Sequence, residues 1–292
     1  MPAKPDTRTI GSPSALNADL QKRIQRYGWD RAADHYEPLW RAQLGHARAA
    51  VLEFAAPAPG ERVLDVACGT GLVTFEAARA VGPEGNVLGI DVSRRMVDLS
   101  SRRARALEVA NCSFSPMDAE MLALPDASFD LVLCALGLMY VPEPERALRE
   151  MQRVLRPEGR AVIAVWGERS RCGWSEVFPI VDAEVKSEVC PLFFRLGYPG
   201  TLARMCADAR LEVTRERRIA VTLNYDGADT ACDAAFVGGP VALAWSRFSD
   251  DVRARARKQY LDAIEPWRHD DGYAIPGEFL VVAARAVARR EG

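Results

Sequence analysis

VLDVACGTG, residues 63–71, is a short apolar run carrying one acid, Asp65, that ends on two glycines, Gly69 and Gly71. A chain that leaves a buried strand on glycine can bring bare backbone against a ligand, and the loop after the first strand of a parallel sheet is where nucleotides bind. About twenty residues past Gly71 stands Asp91, at the spacing of an acid that holds ribose hydroxyls. This much is shared by many nucleotide binders, and two details narrow it. The position three residues beyond Gly71, which a dinucleotide fingerprint fills with Gly or Ala, is Thr74, and a carboxylate lies within the preceding strand. That carboxylate would repel a diphosphate and suits a cationic ligand, directly or through water.

Working outward, apolar runs alternate with helical patterns from residue 50 to residue 166, the signature of βα units feeding a parallel sheet. Strands are expected at 62–67, 86–90, 112–117, 130–135 and 160–166. Helices are expected at 71–81, stopped by Gly82-Pro83, at 93–109 behind a Ser93 N-cap, and at 143–155, with RPEG (156–159) as a turn. After Trp166 the pattern changes. Residues 167–210 are rich in aromatics and broken by Pro and Gly, two further strands read at 212–223 and 278–286, and the long helical stretch between them should sit above the sheet as an insertion.

The motifs VLDVACGTG, GIDVSRRMV (89–97) and MDAEMLALPDASFDLVLCALGLMYVPEPERALREMQRVLRPEGRAVIAVWG (117–167) together resemble the core of a class I S-adenosylmethionine (SAM)-dependent methyltransferase, similar to the UbiE/COQ5-like small-molecule group. The resemblance covers about residues 60–168 and fades in the C-terminal third. It implies an α/β fold with a Rossmann-like, mostly parallel sheet of seven strands. The expected organisation is a flexible tail over 1–20 and one domain over 21–292. Within that domain, 21–55 form a helical lid, 56–168 the SAM-binding core, and 169–292 the substrate-lid helices and last two strands.

The resemblance also implies roles. Asp65, Ala67, Gly69 and Gly71 would cradle the methionine part of SAM, and Asp91 would hold the ribose. Val92 and Met96 would flank the adenine, with Asp118 and Ala119 at its amino edge. Ala135, Leu136 and Tyr140 would face the methionine and the transferring methyl, and Tyr36 in AADHYEPLW (32–40) would fold over the cofactor. SAM carries an ammonium and a sulfonium and no phosphate, which agrees with the acid at position 65.

A general base is needed only where the nucleophile must lose a proton. The candidates are Tyr140 and two of the three histidines, His35 beside the lid tyrosine and His269 before the last strand; His46 reads as a helix-surface residue. Trp166, Trp174, Phe193, Phe194, Tyr198 and Trp245 concentrate where an apolar or flat acceptor should lie. No metal is expected, because CALGLMYVPEPE (134–145) places Leu and Met where a catechol-type enzyme needs an acid.

Seven scattered cysteines without a CxxC pair argue against a disulfide framework and a zinc site, and suit the cytoplasm. A net charge of −2 gives no long-range attraction for nucleic acid or anionic lipid, and no run is long and apolar enough to cross a bilayer. The resemblance implies a small methyl acceptor as partner, methylated on O, N or C in quinone-like or secondary-metabolite biosynthesis, and the expected state is a monomer or homodimer. The alternatives are a nicotinamide-dependent oxidoreductase of the same sheet type and a SAM-binding protein without catalysis.

Overall fold

The computed structural model describes residues 18–185, 190 and 192–287. The expected tail lies outside the described residues as far as residue 17, and Ala18 already opens the first helix.

Two helices, α1 (Ala18–Trp40) and α2 (Gly45–Ala55), precede a sheet that begins with β1 (Arg62–Val66). Then come α3 (Leu72–Val81), β2 (Asn86–Asp91), α4 (Arg94–Ala106), β3 (Cys112–Pro116), β4 (Phe129–Ala135), a single 3-10 turn at Leu138–Tyr140, α5 (Pro144–Val154) and β5 (Leu155–Trp166). These five strands pair in parallel in the order β3-β2-β1-β4-β5. Helices cover both faces of such a sheet, so β1 and β4 are buried along almost their whole length instead of alternating. Ser93 caps α4 as its position implies, its Oγ accepting from Met96 N at 3.1 Å. The RPEG turn takes the form of an excursion within β5. Phe129 pairs with Leu155 and Leu131 with Arg160, and Glu158 between them adopts φ +63°.

The C-terminal third contributes α6 (Val177–Val185), α7 (Thr201–Asp208), β6 (Leu211–Tyr225), α8 (Ala228–Phe236), α9 (Ala242–Trp245), α10 (Asp250–Ile264), β7 (Arg268–His269) and β8 (Gly272–Ala286). β8 inserts antiparallel between β5 and β6, which completes the seven expected strands, and two-residue β7 adds a small hairpin on β8. β8 pairs with the end of β5 at Phe279 and begins seven residues earlier, so β6 and β8 run on as an arm roughly 20 Å beyond the end of β5. α8, α9 and α10 occupy the stretch between these strands, as the helical pattern there implies.

α1 is fastened across the end of the sheet by polar contacts to α4. Asp30 Oδ1 accepts from Ser93 Oγ at 2.6 Å, Arg95 pairs with Asp34 at 2.8 Å, and Arg103 pairs with Glu37 at 2.8 Å. No helix among the described residues is long and apolar enough to cross a membrane, and the seven cysteines are free.

Candidate active site

β1 is the strand at which the sheet order reverses, with β2 on one side and β4 on the other, and a ligand crevice opens above the carboxyl ends at such a point. A cleft lies there, roofed by α1. Its floor is backbone turned sharply at the strand ends. Ala67 (φ +55°) and Gly69 (φ +54°) follow β1, and Leu136 (φ +64°) follows β4. Left-handed backbone at two non-glycine residues is strain of the kind that gathers at ligand sites.

Of the residues expected to hold the cofactor, Tyr36, Ala67, Gly69, Asp91, Val92, Met96, Asp118, Ala119, Ala135, Leu136 and Tyr140 line this one cleft. Two do not. The Asp65 carboxylate sits behind the loop, 1% exposed, with Thr74 Oγ1 donating to its Oδ2 at 2.6 Å. Thr74, which departs from the dinucleotide fingerprint, is thus the partner of the strand acid that departs from it too. The Asp65 carboxylate therefore does not face the cleft. Gly71 serves the fold: it caps α3 at φ +83°, and a Cβ there would lie 2.8 Å from the Phe75 ring and 3.1 Å from the Phe114 ring.

Asp91 is the focal acid. Gly69 N donates to its Oδ2 at 2.9 Å and Ser93 N to its Oδ1 at 2.8 Å, so each oxygen keeps a lone pair for a ligand hydroxyl. Burial pushes its pKa up to about 6 against the pull of those two N–H groups. Burial likewise pushes Asp65 up to about 7, opposed by Thr74 and reinforced by Asp91. Asp118 Oδ1 accepts from Glu120 N at 2.9 Å, so it also closes a turn, while its Oδ2 pairs with Lys22 Nζ at 2.9 Å. Lys22 additionally pairs with buried Glu120. Lys22 is the one cation on the cleft wall among the described residues, and its charge is already met.

The proposed bases are redistributed. Consecutive helical residues point about 100° apart, so Tyr36 turns into the cleft and His35 into solvent, where it is exposed. His269 rides the arm of β6 and β8 away from the strand ends. Its side chain is 75% exposed, with Nδ1 3.2 Å from Asp270. Tyr140 alone of the three lines the cleft, and burial holds its phenol well above its usual pKa, so it stays protonated.

The six aromatics expected at the acceptor lie elsewhere, and none of them lines the cleft. Trp166, Trp174, Phe193 and Phe194 are core: Trp166 packs on Trp174 (4.8 Å between rings) and Phe279 (4.3 Å), and Phe193 on Phe194 (4.7 Å). Trp245 stacks on Phe236 at 4.4 Å, and Tyr198 is 51% exposed. Burial of large apolar rings is worth most in the core, and composition cannot distinguish that use from a pocket wall. The cluster reaches the cleft by relay, from Phe193 to Tyr140 (5.3 Å), then Trp29 (5.0 Å), then Tyr36 (5.7 Å).

Sequence reasoning passed over Lys22, Gln25 and Trp29 as site residues. With Tyr36 they occupy positions 22, 25, 29 and 36, a helical stripe on α1 that faces the cleft. The spacing was visible, but nothing local says what a stripe faces.

Residues 57–190 match the family model described as a methyltransferase domain. The demethylmenaquinone methyltransferase of Lactobacillus johnsonii is 35% identical over 126 residues, covering 41% of this chain and 52% of that protein. The ubiquinone/menaquinone biosynthesis C-methyltransferase UbiE of Ectopseudomonas mendocina is 43% identical over 113 residues, 38% of this chain and 44% of that protein. The chain thus spans about half the length of the curated relatives it matches. Among solved structures, a putative methyltransferase from Bacillus halodurans superposes with a TM-score of 0.60 over 82% of this chain and 99% of that one, at 17% identity, which speaks for the fold. Residues 57–190 thus match a methyltransferase domain, and over this stretch the chain is similar to methyltransferases of the UbiE-like group.

Proposed function

We propose that the protein transfers a methyl group from SAM to a small ring-shaped organic acceptor. The observation that carries the reading is the charge of the cleft: Asp91 faces it, Asp65 stands behind it, and its only cation among the described residues is neutralised by acids. Such a site favours a positively charged nucleoside over a diphosphate. The residues present fit SAM: backbone bare of side chain at Gly69, a carboxylate with free lone pairs at Asp91, and apolar Val92 and Met96 beside it.

In this reading Asp91 receives the ribose hydroxyls, Val92 and Met96 enclose the adenine, and Asp118 and Ala119 meet its amino edge. Ala67, Gly69, Ala135, Leu136 and Tyr140 enclose the methionine end, with Tyr36 above. SAM supplies a methyl already activated by its sulfonium. The chain's task is to hold the nucleophile in line and keep water out, which suits a cleft roofed by Trp29, Tyr36 and Tyr140. With no histidine on the described wall, this reading favours an acceptor that is nucleophilic by its own chemistry. The relatives' names favour a quinone-related ring, and UbiE's favours carbon as the methylated atom. We place the protein in the cytoplasm, as a monomer or homodimer that binds neither nucleic acid nor membrane; its free cysteines and near-neutral charge support this.

S-adenosylhomocysteine (SAH) is expected to raise the melting temperature in thermal-shift measurements and NADH to leave it unchanged. Stabilisation by NADH alone would replace this reading with the oxidoreductase one. Transfer of label from methyl-labelled SAM to a hydroxynaphthoquinol-type ring, followed by mass spectrometry, would then locate the methylated atom.

The raised carboxylate pKa values carry a pH dependence of definite sign. Ribose hydroxyls donate to ionised Asp91, so SAH binding must expel any proton held there. SAH affinity is expected to be flat above about pH 7 and to weaken below about pH 6, approaching tenfold per pH unit. Stability without ligand runs the other way. Asp65 and Asp91 hold protons more tightly folded than unfolded, so their contribution is fully present below about pH 4 and is lost as pH rises through about 6 to 7. Calorimetric titrations between pH 5 and 8 check the first trend, and denaturant midpoints over pH 4 to 8 the second.

A further inference from the structure

On the stripe of α1 that faces the cleft, Gln25 is 6% exposed, and its amide is only half satisfied. Nε2 donates to Cys190 Sγ at 3.4 Å, whereas Oε1 is buried with no hydrogen-bond partner among the described residues. A buried amide oxygen left unpaired is costly, and native chains rarely keep one without a use.

Its surroundings say which use. Cys190 O accepts from Phe193 N at 3.2 Å, and the Phe193 ring is 5.3 Å from Tyr140, which in turn meets Trp29 one helical turn along from Gln25. Gln25 therefore stands where the α1 roof meets the aromatic side of the cleft. The other side-chain acceptors on the wall are the carboxylates of Asp91 and Asp118, with duties already described, and the phenol oxygens of Tyr36 and Tyr140. Oε1 is an uncharged acceptor among rings. Cys190 is a neutral thiol there, its pKa pushed up to about 12 by burial, so no charge competes for the amide.

We propose that Gln25 is a specificity-determining residue of the acceptor site, its Oε1 accepting a hydrogen bond from a hydroxyl or N–H carried by the ring that is methylated. This rests on the methyltransferase reading above and adds a requirement to it: the acceptor brings a hydrogen-bond donor to that point. A ring offering only ether or carbonyl oxygens leaves Oε1 unpaired. A site built to receive a donor rejects the analogue that lacks it far more strongly than an apolar pocket rejects a change of size.

The test needs no turnover and no knowledge of the natural acceptor. The full chain, saturated with SAH, is titrated with 1-naphthol and with 1-methoxynaphthalene, following tryptophan fluorescence. Wild type is expected to bind the naphthol at least tenfold more tightly than its methyl ether. Gln25→Met, which keeps the side-chain length and removes the acceptor, is expected to bind both alike while retaining wild-type affinity for SAH. The inference is overturned if wild type does not distinguish the probes or binds neither, if the preference survives in Gln25→Met, or if that substitution weakens SAH binding, which would make Gln25 a cofactor or packing residue. Failure of wild type to bind SAH at all would instead strike the methyltransferase reading.

Discussion

Asp91→Ala is expected to weaken SAH binding about a hundredfold while the protein stays folded. Hydrogen bonds from hydroxyls to an ionised acceptor are worth about 1.5–3 kcal/mol each, and loss of two, partly compensated by water in the vacated space, leaves a deficit near the ~2.7 kcal/mol that corresponds to a hundredfold. The carboxylate also receives Gly69 N and Ser93 N, so its removal frees two backbone donors at the cleft edge. Against that loss stands the release of a buried acid whose charge the fold holds at a cost, as its pKa of about 6 records. The two effects oppose each other, and the melting temperature should move by only a few degrees. Asp91→Asn keeps one acceptor and should fall between Ala and wild type. Calorimetry at pH 7.5 measures all three proteins, and undiminished affinity in folded Asp91→Ala would remove the ribose assignment.

The second large effect concerns the floor of the cleft. Gly137→Ala would place a Cβ 2.3 Å from Ala67 Cβ, where the loops leaving β1 and β4 cross. Neither loop can yield without shifting Ala67 or Leu136, whose left-handed backbone shapes the floor. Overpacking of this kind costs about 1–3 kcal/mol. The substitution should lower the melting temperature by several degrees and reduce SAH affinity more than tenfold. A specific rescue follows from the geometry. Ala67→Gly deletes the opposing methyl and relieves the positive φ of an alanine. The next atoms, Cys134 Sγ at 3.4 Å and Ala67 Cα at 3.6 Å, are then at ordinary contact. The double variant should regain most of both losses, and a double variant as impaired as Gly137→Ala alone would refute this packing account.

Legibility in the sequence followed the range of the interactions. β1, its glycine loop and Asp91 could be read because each is specified within a few residues: an apolar run, glycines at a turn, an acid at the end of the next strand. Ser93 announced the start of α4 for the same reason. Asp65 shows the limit. Its charge was legible, but its engagement by Thr74, nine residues on, depends on α3 folding back over β1. Trp166, Trp174, Phe193 and Phe194 show another, since a ring's apolarity is the same whether it lines a core or a cleft.

Residue order by itself determined the parallel core, the position of the ligand loop and the sign of the charge awaiting a ligand, because strand burial, turn chemistry and the spacing of Asp91 are local properties of the chain. Tertiary structure alone decided that the stripe bearing Gln25, Trp29 and Tyr36 roofs the cleft, that His35 and His269 stay outside it, and that the aromatic segment fills the interior. Periodicity states that a helix has a buried face; only the docking of α1 on α4, through Asp30, Asp34 and Glu37, states what that face meets.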